Sequence, residues 1–325
     1  MDENSGPATE GINPFLFIVG RGRSGTTLVR AMLTSHSDLA IPPETHFIVP
    51  LSRDPRINSG GRLDVTALCR RLFNQPGFVG LGLSSDDVLS ALEHPSVQTF
   101  PDAIRTVFAM YAGKEGKTRY GDKTPIHVLH IDVLADLFPE AKFIHMIRDG
   151  RDVSLSYLDV EFGAENLWEG AIYWRRFVNQ GRRAGASLPS HRYLEMRYED
   201  LTADPQSQVR RLCEFANLEF QPSMLRYFEE AEKVGASDAH HPNLHLPPTK
   251  GLRDWRRQMS YEESSMFEAL AGDLLSELGY ERAVPSPRLA SRARARLEWT
   301  KVGARRMSHR LRVKTRHFHK RLQSA

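Results

Sequence analysis

The sequence predicts an α/β protein of the phosphate-loop (P-loop) type, in which helices flank a parallel β-sheet. Residues 15–19 are a short continuous apolar segment, typical of a strand buried on both faces. Residues 142–147 (KFIHMI) are interpreted as a second buried strand, and residues 192–196 form a third strand candidate. A helical pattern follows each of these segments, and strand–helix alternation favours a parallel sheet. The first strand also runs directly into a glycine-rich turn that opens a helix.

The remaining elements follow in order along the chain. A helix begins near Leu28, after the glycine-rich turn, and ends near Ser35. Residues 52–118 have glycine and proline punctuation and short helical patterns, so they are interpreted as a helical insertion rather than as part of the sheet. The predicted helices are 66–73, 85–92, 102–111, 131–138 and 205–216, with another from about Val153.

The overall composition is that of an ordinary globular protein. The chain has 325 residues, of which 40% are hydrophobic and 26% charged, and this excludes collagen, a wholly disordered chain and a small disulfide scaffold. No apolar run approaches the roughly 20 residues needed to span a bilayer, and the acidic N-terminus does not resemble a signal peptide. Cys69 and Cys213 lie far apart without metal-ligand spacing, which fits a reducing compartment. We therefore expect a cytoplasmic protein.

The basic charge of the chain is concentrated at its C-terminal end. Residues 286–325 carry 13 of the 44 Lys and Arg residues and one of the 40 acidic residues, which leaves 31 basic and 39 acidic residues in 1–285. Apolar residues spaced three, four or seven apart on this basic background predict an amphipathic helix. We divide the chain into a disordered leader (1–13), a main α/β domain (14–284) and a basic amphipathic tail (285–325).

The glycine-rich turn has the features of an anion-binding loop but lacks the lysine of an ATP-binding loop. Gly20 and Gly25 have the spacing of GxxxxGKS/T, and Thr27 takes the S/T position, but Thr26 stands where the lysine would be. Glycines let successive N–H groups point at an anion, and the following helix adds its dipole. Arg23 supplies positive charge at a different place, so the loop indicates an anion of another shape than MgATP. The alternative is a glycine-rich turn with solvated arginines.

A second basic group follows the strand at residues 142–147. Arg148 ends this strand and Ser156 lies eight residues later in the next helix, so a forked cation and a neutral donor are available for a phosphate. Because parallel strands share one carboxyl edge, the two turns together predict a site for a nucleotide with two separate phosphates. The alternative is that the charged residues of 148–152 form only surface ion pairs.

The two motifs together resemble those of the sulfotransferases that use 3′-phosphoadenosine-5′-phosphosulfate (PAPS). RSGTT after the first strand resembles their 5′-phosphosulfate loop, and KFIHMIRDGRDVSLSY resembles their 3′-phosphate motif. With PETHF, GDKTP and RYEDL, the chain is similar to the tyrosylprotein-sulfotransferase-like branch, which also contains bacterial enzymes of varied acceptor. The resemblance spans roughly residues 14–280 and implies a P-loop-type sulfotransferase domain.

The resemblance implies which residues bind the nucleotide. Lys250 and Gly251 resemble a late KG loop of the family, although Thr249 replaces its arginine and one residue is missing before the Asp-Trp pair. The implied 5′-phosphosulfate ligands are Arg23, Ser24, Gly25, Thr26 and Thr27; Arg148 and Ser156 would hold the 3′-phosphate, Tyr198 would lie near the nucleotide, and Lys250 and Gly251 would close over it.

The resemblance also implies the catalytic residues. Glu44 of PETHF matches the base, while Lys123 of GDKTP and Arg23 would stabilise charge on the leaving group. His46 is a competing base, because cytosolic members of the family use a histidine. Glu44 could instead lie in the first turn of a helix, and Lys123 could simply pair with the neighbouring aspartate. No metal is implied, and the histidines of HHPNLH (240–245) are interpreted as part of a loop.

We therefore expect an enzyme that moves a sulfuryl group from PAPS to an acceptor hydroxyl or amine by in-line transfer. The acceptor could be a peptide tyrosine, a glycan, a lipid or a small hydroxyl compound, with contacts expected from residues 52–118 and around 168–177. One alternative is a P-loop kinase or NTPase, which Thr26 disfavours. The other is a membrane-binding or nucleic-acid-binding protein driven by the tail. We expect a bacterial enzyme that lies in the cytoplasm and has no nucleic-acid partner. Its basic tail would be available to contact the anionic inner surface of the membrane.

Overall fold

The computed structural model of the chain describes most of the main domain. The described residues are 13–59, 62–160, 166–234, 242–249, 253–284, 286–287, 290–291 and 293–301. The leader before Asn13, the tail beyond Lys301, and Lys250 with Gly251 lie outside the described residues. Within the described ranges, no helix combines the length and the apolar character that crossing a membrane requires.

The described residues alternate between strands and helices, as the sequence predicts. The strands are β1 (Leu16–Gly20), β2 (Leu39–Ala40), β3 (Asn58–Ser59), β4 (Arg62–Leu63), β5 (Arg119–Lys123), β6 (Lys142–Ile147) and β7 (Tyr193–Arg197). The α-helices are α1 (Thr26–Thr34), α2 (Ile48–Ser52), α3 (Val65–Leu72), α4 (Pro76–Val79), α5 (Ser85–Leu92), α6 (Phe100–Lys114), α7 (Ile131–Leu137), α8 (Gly150–Leu158), α9 (Leu167–Gly185), α10 (Tyr198–Ala203), α11 (Pro205–Ala216), α12 (Trp255–Gln258) and α13 (Tyr261–Glu277). Segments of 3-10 helix cover Pro125–His130, Ser190–Arg192, Pro222–Val234 and Pro242–His245.

Five of the strands form one parallel sheet in the order β2-β5-β1-β6-β7. Ile18 of β1 lies opposite Lys123 of β5 on one side and Ile144 of β6 on the other. Leu194 of β7 in turn lies opposite Ile144. The predicted parallel sheet is therefore confirmed, and its strands end along one edge because they all run in the same direction.

Helices cover both faces of this sheet. Successive strand residues point to opposite sides, so the apolar side chains of one strand pack against helices on both faces. Phe15 and Phe17 stack at 4.4 Å between ring centroids, and Phe15 also contacts Phe108 of α6. The opposite face carries a fully buried apolar cluster with α1 and α11. Its members include Leu16, Ile18, Val29, Met32, Ile144, Met146, Val209 and Leu212.

The predicted helical insertion, residues 52–118, contains α3 to α6 and one small hairpin. The hairpin pairs Asn58 with Leu63 and Ser59 with Arg62 in antiparallel register. These two-residue strands are too short to show a periodic pattern, so the expectation of an insertion without sheet is wrong at this point. The prediction of helices in the rest of the segment is confirmed.

The chain forms two compact units. The first comprises Met1–Arg148 and Phe177–Lys250 and contains the whole parallel sheet, and the second comprises Asp149–Arg176 and Gly251–Ala325. The division of the chain into a leader, one main domain and a tail stays a prediction.

A buried arginine organises the second unit around the start of α8. Arg151 is fully buried and donates hydrogen bonds to Asp149 at 2.7 Å and to Glu268 of α13 at 2.8 Å. Its guanidinium also lies 3.5 Å from the ring centroid of Trp255. The alternative that residues 148–152 form only surface ion pairs is therefore wrong for Arg151 and Asp149.

Candidate active site

The first unit brings a predicted site residue or loop to the carboxyl end of each strand of the parallel sheet. In sheet order these are Glu44 after β2, Lys123 at the end of β5, the glycine-rich loop (20–27) after β1, Arg148 after β6, and Tyr198 after β7. Ligands of open α/β sheets bind at this edge. The two sequence motifs therefore lie along one edge in a linear order.

The glycine-rich loop has backbone conformations that few residues other than glycine adopt. Gly20 has a φ of +155°, and a Cβ there would lie 2.5 Å from the carbonyl oxygen of Met146 on β6. Gly25 has a φ of +92° and Arg23 a φ of 69°. The N–H of Ser24 donates to the carbonyl of Arg21 at 3.2 Å. The loop therefore turns tightly between β1 and α1, as an anion-binding loop requires.

The N-terminus of α1 is suited to an anion. Gly25 is its N-cap, no side chain caps it, and its first turn contains no acidic residue. The first N–H groups of a helix have no intrahelical acceptor, and the helix dipole makes this end positive. The hydroxyl side chains around this turn, Ser24, Thr26 and Thr27, are buried. A phosphate or sulfate placed here would meet backbone and hydroxyl donors together.

Arg148 and Tyr198 lie beside this loop. The guanidinium carbon of Arg148 is 4.4 Å from the ring centroid of Tyr198, and its Nη1 donates to the carbonyl oxygen of Arg23 at 3.4 Å. The Tyr198 ring packs so closely on the loop that a Cβ at Gly25 would lie 2.5 Å from Tyr198 Cδ2. Ser156 is a buried residue of α8 in the second unit.

Glu44 and Lys123, which are 79 residues apart in sequence, form an ion pair at the β2–β5 side of the loop. Nζ of Lys123 donates to Oε1 of Glu44 at 2.7 Å, and the Lys123 side chain is only 4% exposed against 36% for Glu44. Burial lowers the pKa of Lys123, although Glu44 opposes this effect. The alternative that Lys123 pairs with Asp122 is not what the structure contains. Glu44 lies in an irregular segment before α2, so its placement in a first helical turn is wrong.

His46 contacts the same carboxylate. Its Nε2 lies 3.0 Å from Oε2 of Glu44, and its side chain is 57% exposed. Burial would raise the pKa of Glu44, but hydrogen bonds with His46 and Lys123 outweigh it and hold this pKa at about 2. The same contact with Glu44 raises the pKa of His46. The two competing candidates for the base are therefore neighbours in one cluster.

The sequence did not reveal the buried group that supports this cluster. Asp122 is fully buried and accepts from Thr45 Oγ1 at 2.7 Å, from Thr124 Oγ1 at 3.2 Å and from His127 Nδ1 at 3.1 Å. Neighbours on a strand point to opposite faces, so Asp122 turns away from the side on which Lys123 meets Glu44. A signal was present, because Asp122 is a carboxylate next to a candidate catalytic lysine and five residues before a histidine.

Among the described residues, no group of three or more His, Cys, Asp and Glu side chains could hold a metal ion. Of the histidines in the 240–245 segment, His245 is described and is exposed. His240 and His241 lie outside the described residues.

Comparison with solved structures shows the same fold in known proteins. The sulfotransferase domain from the Synechococcus PCC 7002 olefin synthase superposes with a TM-score of 0.60 at 23% identity, covering 85% of this chain and 98% of that one. The sulfotransferase domain from the curacin biosynthetic pathway gives a TM-score of 0.57 at 23% identity, covering 83% and 99%. These likenesses show a P-loop-containing α/β fold.

Comparison of sequences identifies the family. The chain is 26% identical over 303 residues to the nodulation protein NoeE of Sinorhizobium fredii, covering 84% of this chain and 67% of that protein. It is 27% identical over 232 residues to protein-tyrosine sulfotransferase 1 of Danio rerio, covering 68% of this chain but only 58% of that relative's length. The model of the sulfotransferase family matches residues 14–222. The chain therefore belongs to the sulfotransferase family and is a sulfotransferase enzyme.

Proposed function

We propose that the enzyme transfers a sulfuryl group from PAPS to an acceptor hydroxyl. The observation that carries the proposal is the order of groups along the sheet edge, from Glu44 and Lys123 through the glycine-rich loop to Arg148 and Tyr198. The Glu44–Lys123 ion pair lies on one side of the glycine-rich loop, and Arg148, stacked on Tyr198, lies on the other. A phosphosulfate in the loop would then have its reacting sulfur towards the carboxylate and its nucleotide towards Arg148.

The loop and Arg148 would bind the nucleotide. The 5′-phosphosulfate would accept hydrogen bonds from the loop backbone and from the hydroxyls of Ser24, Thr26 and Thr27 at the positive end of α1. Arg148 would pair with the 3′-phosphate, because its guanidinium provides a permanently charged fork, and Tyr198 holds that guanidinium in place. By resemblance, Ser156 would add a donor to the 3′-phosphate, and Lys250 and Gly251 would close over the nucleotide.

The chemical step exchanges one S–O bond for another. The acceptor oxygen attacks sulfur, the bond from sulfur to the bridging oxygen of the anhydride breaks, and adenosine 3′,5′-bisphosphate leaves. Lys123 and Arg23 would stabilise the charge that develops on the bridging oxygen. Glu44 would take the proton that the acceptor oxygen loses, a contribution of roughly 10²–10⁴-fold for a positioned base. Alignment of the acceptor oxygen, the sulfur and the bridging oxygen supplies the rest of the rate enhancement.

The acceptor side of the site faces the helical insertion. Gly77 of α4 packs so closely on the segment carrying Glu44 that a Cβ on it would lie 2.0 Å from the carbonyl oxygen of Thr45. We therefore expect residues 52–118 to contribute acceptor contacts. Relatives include a protein-tyrosine sulfotransferase and an omega-hydroxy-beta-dihydromenaquinone-9 sulfotransferase, the latter 26% identical and matched over 42% of its length. Their names point to hydroxyl acceptors on a protein and on a lipid, so a hydroxyl acceptor is the proposed class.

A thermal-shift titration with adenosine 3′,5′-bisphosphate tests the nucleotide part of this proposal. A ligand at a hundredfold excess over its Kd stabilises the folded state by about 2.7 kcal/mol. We expect a shift of that order with the bisphosphate, without added metal, and little with 5′-AMP. Arg148→Ala should abolish the shift. Arg226→Ala should not, because Arg226 is exposed and its ion-pair partner in the described part of the chain is a surface glutamate, Glu229, at 3.7 Å.

ATP with and without Mg²⁺ is the decisive comparison. A shift that requires MgATP and is absent with the bisphosphate would contradict the proposed nucleotide and would favour the phosphoryl-transfer alternative. A bisphosphate shift that survives Arg148→Ala would contradict only the role proposed for Arg148.

A further inference from the structure

We infer that His46 is the second proton acceptor of this site: it receives from Glu44 the proton that the acceptor hydroxyl loses, and it releases that proton to solvent. This inference rests on the proposed function, because it concerns the fate of the proton in that reaction. It assigns His46 and Glu44 successive roles rather than treating them as alternative bases.

The two oxygens of Glu44 have different partners. Oε1 accepts from the buried Nζ of Lys123 at 2.7 Å, and Oε2 lies 3.0 Å from Nε2 of His46. When Lys123 turns its ammonium group towards the leaving oxygen, Oε1 becomes available to the acceptor hydroxyl. Oε2 remains against the imidazole, so the carboxylate bridges the reacting side and His46.

His46 connects this carboxylate with water. Its side chain is 57% exposed, whereas that of Lys123 is 4% exposed. The imidazole has a second nitrogen, so a proton can be accepted at Nε2 and lost from Nδ1. The described contacts of Glu44 thus include one buried ammonium group and one exposed ring that can exchange protons with water.

The backbone holds Glu44 and His46 in this arrangement. His46 has a φ of 56°, a conformation that is uncommon for a residue with a side chain and that persists where the surroundings impose it. The residue between them, Thr45, donates its hydroxyl to Asp122 at 2.7 Å and its N–H to Thr124 Oγ1 at 3.2 Å. Thr45 is therefore anchored to the end of β5, and its two neighbours project towards the same cluster.

The charges around His46 determine when it can accept a proton. Glu44 raises the pKa of His46 through a hydrogen bond, burial lowers it, Asp122 raises it and Lys123 lowers it. The net shift is upward, so the ring loses its own proton only above the ordinary histidine range. The pKa of Glu44 is shifted down and that of His46 up, so Glu44 is the stronger acid of the two and a proton on its carboxyl group passes to the neutral imidazole. Turnover should therefore rise as pH increases through the pKa of His46.

The balance of the step is simple. The acceptor O–H bond breaks as the new S–O bond forms, and the proton goes to Glu44. For the next transfer the neutral ring of His46 carries its hydrogen on Nδ1, so that Nε2 can accept. The carboxyl group turns to bring the proton from Oε1 to the side of Nε2, which takes it, and the resulting imidazolium loses its Nδ1 proton to water. Glu44 returns to its carboxylate form, and the neutral ring of His46 is left with its hydrogen on Nε2. Proton exchange of the exposed ring with water restores the Nδ1–H tautomer, and no oxidant or reductant is needed.

The test is the pH dependence of PAPS turnover, with water as the acceptor probe and release of adenosine 3′,5′-bisphosphate as the signal. In the wild type, the rate should fall on acidification with a midpoint above 6.5, the ordinary pKa of histidine. His46→Asn should lower the plateau by about 10- to 100-fold, at or below the lower end for a positioned proton-transfer group. Its acidic limb should move towards the ordinary range of a carboxyl group. Asparagine is suited to the backbone at this position because it tolerates positive φ.

Two controls separate proton transfer from folding. His94→Asn removes an exposed histidine whose Nδ1 bonds Ser96, and its pH profile should match the wild type. The imidazole of His46, followed by NMR, should titrate above the ordinary histidine range in the wild type and move down in Glu44→Gln. This second readout needs no turnover and no folded His46 variant.

The outcomes distinguish the inference from the proposed function. If His46→Asn keeps the wild-type pH profile, or if the imidazole titrates at the same pH with and without the Glu44 carboxylate, the inference is overturned while PAPS turnover stands. If the wild type neither binds the bisphosphate nor releases it from PAPS, the proposed function fails and the inference fails with it.

Discussion

Replacing Asp122 by asparagine should destabilise the protein and slow turnover without weakening nucleotide binding. The carboxylate is fully buried and has acceptors for three donors, the hydroxyls of Thr45 and Thr124 on Oδ1 and the Nδ1–H of His127 on Oδ2. Asparagine has the same shape, but one of its two terminal atoms is a donor. The two hydroxyls donate to Oδ1, and they keep this acceptor only when the amide NH₂ faces the ring nitrogen of His127.

This arrangement leaves one buried N–H without an acceptor whichever tautomer His127 adopts. If Nδ1 keeps its hydrogen, it faces the NH₂ group directly. If the hydrogen moves to Nε2, Nδ1 can accept from the amide, but Nε2 is buried and has no hydrogen-bond partner among the described residues. An unsatisfied buried donor costs about 1–3 kcal/mol, and the remaining bonds lose the extra strength of a charged acceptor. Removal of a buried charge offsets part of this, so the expected loss is about 2 kcal/mol.

The assay compares melting temperatures and turnover in parallel with a matched variant. For a chain of this length, a loss of about 2 kcal/mol should lower Tm by about 3 °C. Asp64→Asn makes the same chemical change at an exposed helix cap, where Asp64 accepts from Ala67 N–H at 2.8 Å. Asn caps helices as well as Asp does, so this control should be nearly neutral.

The turnover measurement tests the link from Asp122 to the catalytic pair. Loss of the Thr45 anchor should loosen Glu44 against Lys123 and reduce kcat. The bisphosphate affinity should change little, because the described hydrogen bonds of Asp122 go to Thr45, Thr124 and His127 and not to the glycine-rich loop. Equal Tm values for Asp122→Asn and Asp64→Asn would refute the reasoning about the buried donor. A normal kcat in a destabilised variant would refute the positioning role.

Two further predictions concern Glu44 and the loop. Because the folded-state pKa of Glu44 is about 2 against an ordinary 4.5, its contribution to stability is present above about pH 4.5 and is lost as pH falls through about 2. The Tm advantage of wild type over Glu44→Gln should therefore shrink as pH falls across that window, and an advantage that grows on acidification would contradict the pairing. Gly25→Ala introduces a Cβ at a φ of +92°, 2.5 Å from Tyr198 Cδ2, and should weaken bisphosphate binding by calorimetry at least about 10-fold, or about 1.4 kcal/mol. Gly116→Ala has a similar φ of +69° but no atom within 4 Å of its Cβ, so equal affinities of the two variants would show that the loop contact is unimportant.

The sequence predicted two kinds of element: strands whose side chains are mostly apolar and buried, and a loop whose glycines adopt unusual backbone conformations. β1 is continuously apolar and β6 is mostly apolar, with Lys142 at its start and a buried His145, because both strands are buried on both faces. The helices of the main domain follow them at the expected positions. The glycines of the loop are also informative, because Gly20 and Gly25 take conformations that other residues rarely adopt.

β5 could not be predicted in this way. Its five residues, Arg119–Lys123, include an arginine, an aspartate and a lysine, yet it lies inside the sheet between β2 and β1. Its last three residues are all buried, and two of them are the ionisable residues Asp122 and Lys123. Local hydrophobicity fails at this strand because its buried polar groups belong to the candidate site rather than to the core.

The contact between Glu44 and His46 was equally hidden, because two residues with one residue between them are normally on the same side only in a strand. Here the segment is irregular, and the positive φ of His46 turns its ring back onto the carboxylate. That turn depends on Thr45 being held by Asp122 and Thr124, which are more than 70 residues away in sequence. A pattern of residue types along the chain does not contain such a dependence.

The arrangement along the sheet edge separates two requirements that a group-transfer enzyme must meet. The proposed function puts nucleotide recognition on the β1, β6 and β7 side, where Arg148 stacks on Tyr198 and Tyr198 packs on the loop. Activation of the acceptor is assigned to the β2 and β5 side, where Glu44 meets Lys123. The helical insertion leaves the sheet between β2 and β5, next to the acceptor side only. We therefore expect changes in α3 to α6 to alter the proposed acceptor contacts while leaving the proposed nucleotide site intact.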